Sequence, residues 1–176
     1  MGVKNWRFQI QAVILQPENE KHTTMTRGIR NNNPLNIRYA CNNWLGKITK
    51  ANKKDPSFEE FETMRHGFRA ALMLIQNYII KYGCNTISKI VTRWAPPTDN
   101  NRTAKYIADV CKMVNMGGNE VLSNHDPRLK EIVRAMSLIE SGTDIRDYWS
   151  ALDVAWEEFK PKSVYQKERK PVGRIK

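Results

Sequence analysis

Apolar positions follow two regimes along the chain. From about residue 65 to residue 159 they recur at three- and four-residue spacing, whereas before residue 65 they are sparse and separated by asparagine, glycine and proline. Phe68, Leu72, Ile75 and Ile79, joined by Ala71, form one face of a helix predicted over 65–82 and ended by Gly83. Ile87, Ile90, Val91 and Trp94 predict a short second helix that Thr86 caps and Pro96-Pro97 stops. Tyr106, Ile107, Val110, Cys111 and Val114 mark a third, opened by Thr103 and closed before Gly117-Gly118. Asp126-Pro127, a cap followed by proline at the first helical position, opens a fourth that runs through Leu129, Ile132, Val133 and Met136 to Gly142. Tyr148, Leu152, Ala155, Trp156 and Phe159 make a fifth.

The earlier region reads differently. Residues 4–15 alternate (Trp6, Phe8 and Ile10 against Arg7, Gln9 and Gln11), as a strand or partner-binding segment does, and the polar stretch from Gln16 to Met25, with Pro17, reads as a linker. Arg30 to Tyr39 is too rich in asparagine and proline for a helix and is expected to form a structured loop. Ile37 to Phe61, with Asn42-Asn43, Gly46 and Pro56 between short apolar points, predicts a small irregular β hairpin or three-stranded ribbon. The expected class is therefore α+β, mostly α. An N-terminal extension (1–25) precedes a main domain (26–142), an additional helix (143–159) and a flexible basic tail (160–176).

Composition narrows the function classes. A chain of 176 residues, 40% apolar and 27% charged, is long enough to bury one core, and no apolar run approaches the roughly 18–20 residues of a membrane span. Of the net charge of +11, much sits in residues 160–176, with seven Lys/Arg and one acid. Residues 27–54 hold seven bases and no acid, and Asp55, Glu59, Glu60 and Glu62 follow at once. Such a balance suits a polyanionic partner, either nucleic acid or an anionic cell-wall polymer, or else a solvated surface. Cys41, Cys84 and Cys111 lack the paired spacing of a zinc or redox site, and His22, His66 and His125 stand alone, so no metal is assigned. There is no phosphate-binding glycine loop and no serine or cysteine nucleophile motif, and no cofactor is expected. Gln9 and Gln11 interrupt the N-terminal apolar run and no small-residue cleavage site follows, so a signal peptide is not expected.

The segment from Arg27 to Gly46 concentrates amides, guanidinium groups and aromatic rings. Amides match sugar hydroxyls and N-acetyl groups, and an aromatic ring stacks on the apolar face of a pyranose. Asn32, Asn33, Asn36, Arg38, Tyr39 and Trp44 are the candidate substrate-binding residues, with Trp94 as an opposite wall. For each asparagine, tight-loop formation is the competing role, and for Trp94 a place in the core. The acids from Asp55 to Glu62 are the dense carboxylate supply nearby. Crowded like charges raise at least one pKa, as a general acid requires. Glu62 is favoured and Glu60 is a further candidate, while solvation of a strand carrying Phe58 and Phe61 is the alternative role of Glu59 and Glu60. Glu140 reads as a surface or helix-terminal group.

Several ordered motifs over residues 26–142 carry a resemblance: Arg27-Gly28-Ile29-Arg30-Asn31-Asn32-Asn33-Pro34, Trp44-x-Gly46, Asp55-x-x-Phe58-x-x-Phe61, Gly67-Phe68-Arg69-Ala70, Arg93-Trp94-Ala95-Pro96-Pro97 and Ile139-Glu140-x-Gly142. Together they resemble a family of phage and prophage proteins described as virion structural or lysozyme-like proteins. There is a more distant similarity to cell-wall glucosaminidases of the lysozyme superfamily, whose Asn-Asn-Leu-Phe-Gly-Ile-Lys segment is matched by Asn32 to Arg38. The resemblance implies a lysozyme-like fold and binding or cleavage of peptidoglycan. The glutamate of those glucosaminidases precedes the paired asparagines, a spacing that implies Glu18, in a segment containing Pro17 that does not look helical. Three functions follow. The first is a muralytic glycosidase or lytic transglycosylase of phage origin, in the host cytoplasm or the virion. The second is a non-catalytic virion or wall-binding protein, in contact with other virion proteins. The third is a nucleic-acid-binding accessory using the basic tail.

Overall fold

The computed structural model describes residues 25–160. Its elements are α1 (Arg27–Arg30), α2 (Met64–Tyr82), α3 (Ile87–Trp94), α4 (Thr103–Val114), α5 (Leu129–Ser141) and α6 (Trp149–Phe159), with 3-10 turns at Pro97–Asp99 and Arg146–Tyr148. The N-terminal extension, including Glu18, and the basic tail beyond Lys160 lie outside the described residues.

Helix α2 is delimited by local chemistry. The Thr63 side chain accepts a hydrogen bond from the His66 amide, and Gly83 closes the helix in the left-handed region at φ 64°. Its buried face, Met64, Phe68, Ala71, Leu72 and Ile75, packs chiefly against Leu152, Ala155, Trp156 and Phe159 of α6. The residues expected as an additional helix therefore share the main core. On the other side α3 packs on α4, and α4 on α5, which returns to α2. Thr86 caps α3 through the Lys89 amide at 3.2 Å. Helix α5 begins two residues after Pro127, and Asp126 organises the turn before it by accepting from the Arg128 amide at 3.0 Å. Truncating Phe68, which is fully buried, is expected to cost about 3–5 kcal/mol.

The small β hairpin expected over 37–61 is not formed. Two isolated antiparallel bridges, Arg38 with Phe58 and Lys47 with Phe61, are what the described residues have in its place. The Glu59 amide still donates to the Ile37 carbonyl at 2.8 Å, but a side chain stands where the return bond of a ladder would be. The Asn33 amide donates to the Ile37 and Glu59 carbonyls at 2.9 and 3.0 Å, and its oxygen accepts from the Ile37 amide at 2.9 Å. Asn32 donates to the Phe61 carbonyl at 3.0 Å. The result is an irregular loop layer, held by Leu35, Ile37 and Phe61 against the start of α2.

Candidate functional site

The asparagine loop and α2 meet without a gap. A Cβ at Gly67 would lie 1.9 Å from the Asn32 carbonyl oxygen and 2.8 Å from Pro34 Cδ, so only glycine permits this approach. Asn32 and Asn36 both adopt the left-handed region, at φ 50° and 49°, which asparagine tolerates better than most side chains. Asn31, Asn32 and Asn33 spend their amides inside the loop, Asn31 donating to Asp55 at 2.8 Å. Asn36 instead reaches across to the end of α5. Its Nδ2 donates to the Glu140 carbonyl at 3.1 Å and approaches Glu140 Oε2 at 3.4 Å.

Glu140 is half-buried at the floor of a cleft of about 500 Å³. The loop supplies one wall, with Asn36, Arg38 and Phe58; α2 and α3 supply the other, with Tyr78, Arg93 and Trp94. Trp94 Nε1 donates to Glu140 Oε1 at 3.1 Å, and the Tyr106 hydroxyl of α4 donates to the same oxygen at 2.9 Å. Burial pushes the Glu140 carboxyl above the ordinary glutamate value, although the bonds from Tyr106, Asn36 and Trp94 pull it down. Tyr106 is likewise raised, first by its own burial and then by the charge of Glu140. Arg38 and Asp99 face each other within the same cleft at 3.7 Å, an exposed pair of small energetic value.

The acids that the sequence brings together lie outside this cleft, among partners of their own. Glu59 is fully buried against Lys47 at 2.9 Å. Asp55 pairs with Arg27 at 3.3 Å; burial raises its pKa, but the bonds from Asn31 and the Ser57 and Phe58 amides, with the Arg27 charge, outweigh this and lower it. Glu60 accepts from the Lys54 amide at 2.8 Å. The Glu62 side chain is 62% exposed, 3.8 Å from His66. Glu60 and Glu62 line a separate hollow of about 580 Å³, with Arg27, Arg30, Lys54 and Asp55.

Of the candidate binding residues, Asn36, Arg38 and Trp94 line the Glu140 cleft, and Asn32, Asn33, Tyr39 and Trp44 do not. Trp44 packs against the core, and Tyr39 lies beneath the Lys47 and Lys53 ammonium groups. Sequence reasoning missed Glu140, Tyr106, Arg93 and Asp99. One signal was present: on α5, Leu129, Val133 and Met136 lead at helical spacing to Glu140, an acid on the apolar face. Among the described residues no group of three His, Cys, Asp or Glu side chains could hold a metal ion, and no helix is long and apolar enough to cross a membrane.

Comparison with known proteins adds a source for this arrangement. Over 125 residues the chain is 37% identical to Protein P5 of Pseudoalteromonas phage PM2, which covers 69% of this chain and 75% of that protein. The chain belongs to the family of this phage protein. No protein-family model matches it. The chemistry of the cleft has to be argued from its side chains.

Proposed function

We propose that this member of the phage protein family is a peptidoglycan-degrading glycosidase or lytic transglycosylase on a lysozyme-like helical fold, with Glu140 as its general acid. The observation that carries the reading is a single half-buried carboxyl, met by neutral donors, at the floor of a cleft walled by aromatic rings, an amide and guanidinium groups. Cleavage of a glycosidic bond needs a carboxyl that holds its proton until the leaving oxygen takes it. Burial favours that protonated form of Glu140. Trp94 and Tyr106 both donate to Oε1, so the proton belongs on Oε2, which has only the longer contact from Asn36. Trp94 and Tyr78 offer ring faces for a pyranose, and Asp99 is a second carboxylate in the same cleft. Peptidoglycan is the partner that fits this reading, with other virion proteins as further partners of this chain.

The test is release of soluble fragments from purified sacculi. Wild-type protein releases them, Glu140→Gln loses about a hundredfold to ten-thousandfold in rate, and Glu62→Gln retains the wild-type rate. Full activity of Glu140→Gln with loss in Glu62→Gln would return the acid to the loop cluster. A second reading, a non-catalytic virion or wall-binding protein of the same family, is favoured by one feature: three protein donors already engage Glu140. It is the correct reading if wild-type protein binds sacculi and releases nothing at any pH.

A further inference from the structure

Arginines of the described residues are mostly held by acids: Arg27 and Arg30 by Asp55, Arg38 by Asp99, Arg65 and Arg69 by Glu158, and Arg128 by Asp126 and Glu120. Arg93 departs from this pattern although it lines the Glu140 cleft. It stands on the last turn of α3, where the helix dipole favours a cation, and among the described residues it has no ion-pair partner. Aromatic faces hold it instead: its guanidinium lies 3.6 Å from the Tyr82 ring centroid and 5.0 Å from that of Tyr78. Stacking fixes the plane of a guanidinium and leaves the donors on its edge free, which is the geometry that meets a carboxylate through two parallel bonds.

The position of this group relative to the acid is also defined. The Tyr78 ring that supports Arg93 lies 6.2 Å from the Trp94 ring, and Trp94 donates to Glu140. A substrate seated over Tyr78 and Trp94 would therefore present one end to the Glu140 carboxyl and another to the Arg93 guanidinium. Lys89, one turn earlier on α3, borders a shallow outer hollow that Arg93 also lines, so positive charge continues outward from the cleft.

We infer that Arg93 is an anion subsite that makes the cleft select glycan strands bearing a carboxylate over neutral glycans. The inference rests on the reading of the cleft as a peptidoglycan site. A peptidoglycan strand offers two sources of that carboxylate: the lactyl group of its muramic acid residues once the peptides are removed, and the stem peptides where they are attached. Both present the same chemistry to a guanidinium.

The experiment compares three probes by calorimetry, with the full chain carrying Glu140→Gln so that no strand is cut. These are chitotetraose, which is neutral; denuded strands, with lactyl carboxylates; and uncrosslinked peptide-bearing strands. At least one anionic probe should bind about tenfold more tightly than chitotetraose, and the better one identifies the source. Adding Arg93→Gln should remove that difference, and a melting temperature equal to that of the single variant shows that the protein is still folded. Arg93→Lys should keep part of it. Equal affinity for neutral and anionic probes, a preference that survives Arg93→Gln, or a lysine variant no better than the glutamine one overturns the subsite while the peptidoglycan reading stands. Binding of no probe at all overturns both.

Discussion

Asp55, in the asparagine-rich loop layer, and Glu140, at the end of α5, both lose solvent on folding and meet different company. Asp55 is met by cations and by donors that prefer its charged form: Arg27 at 3.3 Å, Asn31 at 2.8 Å and the Ser57 amide at 3.0 Å. Glu140 is met by an indole, a phenol and a carboxamide, none of them charged. The first carboxyl is consequently held below its ordinary range and the second above it. Number of acids in a sequence window is a poor guide to a general acid, because a window that also holds seven bases can neutralise them; burial among neutral donors is the condition that counts.

The largest expected effect is on the loop side. Lys47→Ala leaves Glu59 fully buried without its counter-charge and is expected to cost about 3–5 kcal/mol in urea unfolding, with no comparable position in the Glu140 cleft. Asp55→Asn removes charge-assisted bonds and should cost about 1–3 kcal/mol at neutral pH. Because the folded pKa of Asp55 is lowered, its stabilisation is complete above the ordinary aspartate range and is lost as pH falls through the folded value. The wild-type advantage over Asp55→Asn should shrink accordingly in acid.

Glu140→Gln should act in the opposite direction. A raised folded pKa means that the unfolded chain releases its proton first, so stability is lost as pH climbs from the ordinary glutamate value through the folded one. Glutamine does not ionise, and the variant should melt about 1–4 °C higher at neutral pH, with the difference closing in acid. A Glu140→Gln protein less stable than wild type at neutral pH would break the contrast. The smallest effect belongs to Arg38→Ala, which removes an exposed pair with Asp99 and should change stability by less than about 1 kcal/mol.

The helices were legible because their signals are local. Thr63, Thr86 and Gly83 mark boundaries within one turn, and the stripe from Phe68 to Ile79 needs only its own spacing. The loop layer was legible as irregular, but its hairpin was not formed, since Asn32 and Asn33 take over backbone groups that a strand would have paired, and no periodicity reports that substitution. The cleft was half legible. Asn36, Arg38 and Trp94 were reachable as residue types suited to sugars, whereas Glu140 acquires its role from Asn36, Trp94 and Tyr106, which lie 104, 46 and 34 positions away in the chain.

The measurement that tests the account most directly is a carbon-13 titration of side-chain carboxyl signals in the full-length protein, assigned with Glu140→Gln and Asp55→Asn. Glu140 should titrate above the ordinary glutamate range and Asp55 below that of aspartate, and Trp94→Phe, by removing a donor to the charged form, should move Glu140 higher still. A Glu140 signal that titrates at or below the ordinary glutamate value would contradict this, because burial would then not favour the protonated form that a general acid uses.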